Sequence, residues 1–528
     1  MTAPGTAVPD AEEAAIPTGV AATARGGWWA FLGSGANAVF GFVLVVLTTR
    51  SVGLHEAGAV FTGVAVFTIL SNACKLGADT GLVRFVSRDL AMGGGREVEA
   101  LVRTAVVPGA LAGTTAAALL FSASPLSASL LPQMAPADAQ TLIRLFALFL
   151  PVATVSMLLL GATRGYGTVL PFVGVEQIGK PLLRVLLAVP VAVLAPGVLT
   201  LAAAWLVPSL AGAVGAWLAL RRCRAAHTGT PRQPGGALPW REFWSFAAPR
   251  AMSSVLDIGA IWVGVILLSA LATTEEAGLY TAIGRVITAG TLLQLAIRLA
   301  VAPEISRLLA LGETDQARGL HRISTRWIVL FSWPLFVMLA CFPATVLSVF
   351  GAGFGEGAGA LLVLCAASVV NISVGNAQTV LLMAGKSSWH LAVTGAAFAV
   401  QLATGLFAVP RWGVVGAAVS WGVAIIVENL ASAWLVRHRL GFTTIDGGYL
   451  AAAGVGLCLV TALALPVRLL AGDTARGLAA GIALTVCVLS ITLWRYKKTL
   501  GVNDLVCLLR RRTSQPRHSR LPAEPGTP

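Results

Sequence analysis

Residues Leu199–Leu220 read LTLAAAWLVPSLAGAVGAWLAL, and Arg221-Arg222-Cys223-Arg224 follows at once. About 20 apolar residues carry a helix across the roughly 30 Å hydrocarbon core of a bilayer. This run is apolar on every face, as is Phe40–Leu47, so neither fits the short alternating strands of an outer-membrane barrel. The whole chain agrees. It has 528 residues, 56% hydrophobic and 11% charged, and a mean hydropathy of +0.82. Soluble chains carry about 25% charge, so a water-soluble enzyme, a disordered protein and a secreted disulfide scaffold are excluded. The apolar content suffices for about fourteen spans of about 20 residues.

The net charge of +14 follows from the gathering of Lys and Arg in cytoplasmic loops. No basic stretch is tied to a nucleic-acid-reading fold, so no nucleic-acid partner is expected. The seven Cys (74, 223, 341, 365, 458, 487, 507) show no metal spacing, and neither a metal site nor a disulfide framework is implied. The sequon Asn371-Ile372-Ser373 lies in an apolar run and reads as unused. No cleavable leader is expected, because residues 1–26 are polar and rich in Ala and Pro, and the run from Trp28 is too long for an h-region.

The expected architecture is an all-α polytopic membrane protein of about fourteen transmembrane helices. The spans fall at 27–49, 57–77, 102–123, 140–162, 173–194, 199–220, 245–271, 277–301, 327–350, 358–384, 389–409, 414–436, 449–470 and 477–495. With the N-terminus inside, and with Arg103, Arg468 and Arg495 at span ends counted with the adjoining loops, 26 of the 37 Lys and Arg fall on the cytoplasmic side, 4 outside and 7 within spans. That bias sets the orientation and places both termini in the cytoplasm of a bacterial plasma membrane protein.

The chain repeats itself. Glu56-Ala57-Gly58 matches Glu276-Ala277-Gly278, Ser87-Arg88 matches Ser306-Arg307, and Arg103 matches Arg322, at an offset of 219 or 220. Six spans separate the copies, so two six-helix lobes run parallel, which is a transporter architecture with its site between the halves. The expected units are a disordered tail 1–26, an N-lobe 27–220, a Pro/Gly/Arg-rich cytoplasmic loop 221–244 and a C-lobe 245–440. Two further spans (441–496) and a basic tail 497–528 complete the chain.

Gly33-Ser34-Gly35, Thr49-Arg50-Ser51-Val52-Gly53, Glu56-Ala57-Gly58 and Leu76-Gly77-Ala78-Asp79-Thr80-Gly81 stand in the first hundred residues. Ala277-Gly278-Leu279-Tyr280, Ala302-Pro303-Glu304 and Gly413-Val414-Val415-Gly416 follow downstream. Over roughly residues 27–440 this pattern resembles bacterial polysaccharide flippases of the Wzx type. These belong to the multidrug/oligosaccharidyl-lipid/polysaccharide exporter superfamily, with lipid II flippases as relatives. The resemblance implies movement of a polyprenyl-pyrophosphate-linked oligosaccharide from the cytoplasmic to the outer leaflet, by alternating access of two lobes around a cationic cavity.

Charges inside the bilayer are costly and mark function. The fifth span carries Glu176, Lys180 and Arg184, and steps of four place them on one helix face. They form either a cavity-lining strip or a strip that neutralises itself against a neighbour, with one positive charge left over. The seventh span carries Arg250 and Asp257, the eighth Arg285 and Arg298, the twelfth Glu428. Arg298 reads as an interfacial anchor. Arg50, at the outer end of the first span, lies in a stretch that the family shares. Lys180, Arg184, Arg250, Arg285 and Arg50 are the candidate substrate residues. Guanidinium groups suit a pyrophosphate, since they stay charged in low dielectric and donate two parallel hydrogen bonds. Glu176, Asp257 and Glu428 are candidates for charge pairing or for Na+ or H+ coupling. No cofactor is expected, and no catalytic residue.

Two rivals remain. A cation-coupled multidrug exporter of the same superfamily would hold buried acids, whereas bases exceed acids here. An integral-membrane glycosyltransferase or polymerase would need carboxylates on a sizeable outer loop, and the longest outer loop, about 124–139, contains only Asp138. No Walker A motif supplies an ATPase. The expected partners are the lipid-linked oligosaccharide, the bilayer and polysaccharide-assembly proteins.

Overall fold

The computed structural model describes residues 15–91, 98–126, 131–227, 240–384 and 386–495. Every regular element among them is helical. The apolar runs leave no alternative, because inside lipid each backbone N–H and C=O must be satisfied within its own segment. In chain order the helices are α1 (Ala15–Cys74), α2 (Ala78–Ala91), α3 (Val98–Ser122), α4 (Pro136–Gly165), α5 (Leu170–Leu194), α6 (Val198–Ala226) and α7 (Trp240–Leu271). They continue with α8 (Thr274–Gly290), α9 (Leu292–Ala310), α10 (Thr314–Cys341), α11 (Phe354–Ser373) and α12 (Ala377–Met383). The last three are α13 (Ser387–Leu440), α14 (Gly447–Ala471) and α15 (Ala475–Arg495).

Eleven described helices are long and apolar enough to cross a membrane, or twelve when α8 and α9, bent by 43°, are taken as one span. The chain is thus a multi-pass membrane protein. The difference from the expected fourteen lies in two very long helical stretches, Trp29–Leu90 and Ser388–Leu440, of 62 and 53 residues. Each is too long for a single crossing, and each leaves helical geometry at a glycine. Gly53 stands at φ 82° and Gly413 at φ 50°, in the positive-φ region that glycine enters without a Cβ clash.

Two expectations about segments need correction or placing. Helix α1 begins at Ala15, inside the stretch expected to be a disordered tail. The basic tail 497–528 and half of the inter-lobe loop, residues 228–239, lie outside the described residues, and α6 and α7 extend into that loop from either side.

The two halves meet along α1, α7 and α8. A Cβ on Gly58 would stand 1.6 Å from the Thr274 carbonyl oxygen, and one on Gly278 would stand 2.8 Å from the Leu54 carbonyl oxygen. Leu54 and Thr274 differ by 220, as do Gly58 and Gly278. The sequence repeat is therefore a reciprocal contact in space, with small residues letting two backbones approach as membrane helices commonly do. Further bonds bridge the halves at this end. Thr49 Oγ1 donates to the Phe350 carbonyl at 2.8 Å, Arg50 Nε to the Val349 carbonyl at 2.8 Å, and Thr274 Oγ1 to Gln133 at 2.8 Å. The opposite end, rich in Arg, is bridged by Arg88 with Glu242 at 2.7 Å and by Phe85 against Phe243.

Helices α14 and α15 lie on α10. Asp446 caps α14 through the Tyr449 N–H (2.8 Å) and accepts both a 3.1 Å and a 2.5 Å bond from Arg326 of α10. Arg468 donates to the Cys341 carbonyl, and Asp473 accepts from the Ala344 and Thr345 N–H groups.

Candidate functional site

Helix α5 carries the charged strip. Pro181 supplies no N–H and crowds the preceding turn, and the helix responds with a π-helical segment over Val173–Gly179. There the Lys180 N–H reaches back to the Val175 carbonyl. Lys180 Nζ then bonds both Glu176 carboxylate oxygens at 2.8 Å. The Lys180 side chain is 5% exposed and its stem lies against Gly212 of α6. Acid and first base cancel within the N-terminal half, and Arg184 is the charge left over.

Arg184 is held by Trp205. Its Nε donates to the Trp205 carbonyl at 3.0 Å, and its guanidinium sits 3.8 Å from the indole centroid. That carbonyl lies in the last turn before Pro208, where α6 is interrupted. The aromatic face and the carbonyl together give a half-buried guanidinium partial compensation without neutralising it.

Arg285, in α8, comes from the other half. Its guanidinium lies 5.8 Å from the Trp262 centroid, and it abuts Gly41 of α1, where a Cβ would stand 3.6 Å away. Arg285 therefore reaches across the junction of the halves. It lies within electrostatic range of Arg184, on which the Glu176 carboxylate acts more strongly. Among the described residues neither guanidinium has a carboxylate at salt-bridge distance.

Beside Arg285 the C-terminal half contains a cavity of about 400 Å³, bordered by Trp262, Arg285, Arg298, Asn376, Trp421 and Glu428 among others. Two interruptions face it, the bend at Thr291 between α8 and α9 and the break Val374–Asn376 between α11 and α12. Irregular backbone at membrane depth belongs where it lines such a space. Glu428 accepts from Thr394 Oγ1 at 3.0 Å.

The remaining candidates lie elsewhere. Arg250 is exposed, beside the break at Gly77. Asp257, also exposed, shares its electrostatic surroundings with Arg250, His390 and Glu428. Arg50 is remote from this group, in a shallow recess with Gly53, Ser348 and Gly351 where the halves touch. Among the described residues no three His, Cys, Asp or Glu side chains gather as a metal site. Sequence reading missed His390 and Asn376, since a single His or Asn in an apolar helix carries no spacing signal. It noticed Asn371 only as a sequon, yet Asn371 borders the cavity.

The lipid II flippase MurJ in its inward closed conformation has a similar fold, with a TM-score of 0.70 at 12% identity over 90% of this chain and 99% of that one. A multidrug resistance MATE family transporter of the MOP superfamily, inward-facing, is similar at 0.63 and 14% identity, over 77% of this chain and 94% of that one. A MOP superfamily transporter from Pyrococcus furiosus, described as having a binding pocket of reverse polarity, is similar at 0.57 and 15% identity, over 80% and 95%. No curated protein matches by sequence. The family model for polysaccharide biosynthesis proteins matches residues 23–309, more than half of the chain, and the chain belongs to that family.

Proposed function

We propose that the protein is a flippase that moves a polyprenyl-pyrophosphate-linked oligosaccharide from the cytoplasmic to the outer leaflet, by alternating access of its two halves. The observation that supports this reading is the pair Arg184 and Arg285, one from each half, neither with a carboxylate at salt-bridge distance, the one acid that acts on Arg184, Glu176, being already paired with Lys180. Two like charges in low dielectric repel and are costly to desolvate. A pyrophosphate relieves both and binds guanidinium through paired charge-assisted bonds. One ligand then holds both halves together.

The remaining assignments follow from this reading. The Arg-rich end faces the cytoplasm of a bacterial plasma membrane and the Arg50 end faces outward. Asp257, with His390 and Glu428 in its electrostatic surroundings, takes up the coupling Na+ or H+, and no cofactor is used. Arg250 guides the headgroup at the cytoplasmic end. The prenyl tail stays in lipid beside α14 and α15. The basic C-terminal segment meets anionic lipid or polysaccharide-assembly proteins.

A cation-coupled multidrug exporter is the second reading, favoured by the acids Asp257 and Glu428 and by the fold shared with MATE transporters. Glu428 is outnumbered at the cavity by Arg285 and Arg298, which argues for an anionic cargo. Proteoliposomes with a fluorescent polyprenyl-pyrophosphate oligosaccharide decide between them. Wild type should flip the lipid, Arg184→Glu should lose at least about tenfold, the equivalent of one charge-assisted bond, and Asp257→Ala should lose the dependence on an ion gradient. Uptake of a lipophilic cation without headgroup transport would select the exporter.

A further inference from the structure

We propose that His55 is a proton-operated latch between the two halves. With its imidazole protonated it pairs with Glu275 and holds this end of the molecule shut, and with the imidazole neutral the end is free to open. In the orientation proposed above this end faces outward, so the latch answers to the pH on that side. The inference goes beyond the flippase reading, since it holds for any cargo.

The position follows from the repeat. His55 and Glu275 differ by 220, the same offset as Leu54 and Thr274 or Gly58 and Gly278. The reciprocal contact of the halves sets a residue close to its own copy, and His55 Nδ1 stands 3.9 Å from Glu275 Oε1. Two acids there would repel, as would two protonated imidazoles. One His facing one Glu makes a pair that a proton switches on.

The hydrogen bonds fix where that proton goes. Thr274 opens α8, and its N–H is one of the amides that a helix start leaves without an internal partner. Gln133, in the segment leading into α4, takes it on Oε1 at 3.1 Å, and the same oxygen accepts from Thr274 Oγ1 at 2.8 Å. A hydroxyl has one proton, so Thr274 Oγ1 can only accept from His55 Nδ1, 3.0 Å away. The neutral ring therefore carries its hydrogen on Nδ1 and leaves Nε2 bare. Protonation at Nε2 breaks none of these bonds and adds a positive charge beside Glu275. The seam is thus held by hydrogen bonds alone when the ring is neutral, and by hydrogen bonds and an ion pair when it is charged.

The surroundings favour the charged ring while the seam is shut. The other acids on the elements that meet here are Glu56, Asp138, Glu276 and Glu356, of which Glu276 is packed against Gly413 of α13. The bases at this end are turned elsewhere, Arg50 to the Val349 carbonyl and Arg411 to the Phe407 carbonyl. Separating the halves takes His55 away from Glu275, so the proton binds the shut form more tightly. The ion pair is present at low pH and is lost as pH rises through the range in which the imidazole gives up its proton. His55 is 39% and Glu275 56% exposed, so water reaches the pair and the pair is a modest one.

The test reads the seam itself and needs no cargo. Spin labels are placed at Ala137→Cys and Ser348→Cys, exposed positions in the two halves near this end, in the full chain freed of its native cysteines. Pulsed dipolar EPR in proteoliposomes then gives the label distances at about pH 5 and about pH 8, the limits between which an ordinary His changes charge. The ratio of separated to shut molecules should be about threefold larger at the higher pH, the scale of a solvent-screened ion pair. His55→Gln keeps a donor for Thr274 and cannot be charged, so it should show the high-pH ratio throughout. His55→Lys is charged throughout and should show the low-pH ratio. Glu275→Gln should abolish the response, and His390→Gln should keep it, which separates the latch from the coupling group. A wild-type ratio that does not move with pH would overturn the latch, as would a response that survives His55→Gln. Failure of the protein to flip a lipid would overturn the flippase reading and leave this result untouched.

Discussion

Lys180 and Arg184 stand one helical turn apart, and the fold treats them in opposite ways. Lys180 is spent on Glu176, inside the N-terminal half. Arg184 rests on an indole and a carbonyl and keeps its charge for the junction. Removing one partner of a buried pair costs about 3–5 kcal/mol, while replacing both by apolar groups is often neutral. Lys180→Met should accordingly destabilise the protein on that scale, and adding Glu176→Gln should recover most of the loss, as read from thermal unfolding in detergent. Headgroup transport should survive in the double variant, whereas Arg184→Glu should lose at least about tenfold, the scale of one charge-assisted bond. The sequence exposed the strip and its one net charge, because charges in an apolar helix stand out. It could not divide the strip between structure and cargo, since that depends on Gly212 and Trp205 of another helix. Asn376 and His390 were illegible for a different reason. An isolated Asn or His in an apolar run carries no spacing signal until its neighbours in space are known.

Among the elements, α14 offers the clearest pH dependence. Asp446 lies between the membrane segments. Burial pushes its carboxyl upward, but Arg326 and the Tyr449 N–H outweigh that and hold it below the usual carboxylate range. The folded value is thus lower than the unfolded one, so the stabilisation is complete above the unfolded carboxylate value of about 4. It fades as pH falls through the depressed folded value. Docking of α14 on α10 should therefore hold from neutral pH down to about 4 and loosen below that. Cysteine-labelling rates on α14 would follow it, and Arg326→Ala should give the loosened rate already at neutral pH. The elements themselves were largely legible in the sequence, because apolar length reports a span. Their interruptions were less so. The π-helical segment over Val173–Gly179, just before Pro181, is set by hydrogen bonding within the turn, which the sequence does not spell out. The glycines that part the two longest helices became informative only with their backbone angles.

At the scale of the whole molecule, the halves touch at both ends, and opening toward either side must break one set of bridges. His55 and Glu275 flank one seam at 3.9 Å and are partly exposed. In a chain freed of its seven cysteines, His55→Cys with Glu275→Cys, joined by a short bis-maleimide, should stop flipping. Each single variant treated with the same reagent should continue. Normal flipping in the joined protein would mean that this seam never opens. The repeat at 219–220 residues was the strongest global signal in the sequence, and the contact of Leu54 and Gly58 with Thr274 and Gly278 gives it a physical form.

That contact has the geometry of an isologous interface, in which a patch binds its own counterpart about a two-fold axis. Here both partners lie on one polypeptide, so the molecule resembles a fused homodimer whose axis passes between two glycines. A side chain added at either one meets backbone of the opposite half. Any side chain there would wedge the two halves apart at their axis, so this one seam sets how closely the whole molecule can close.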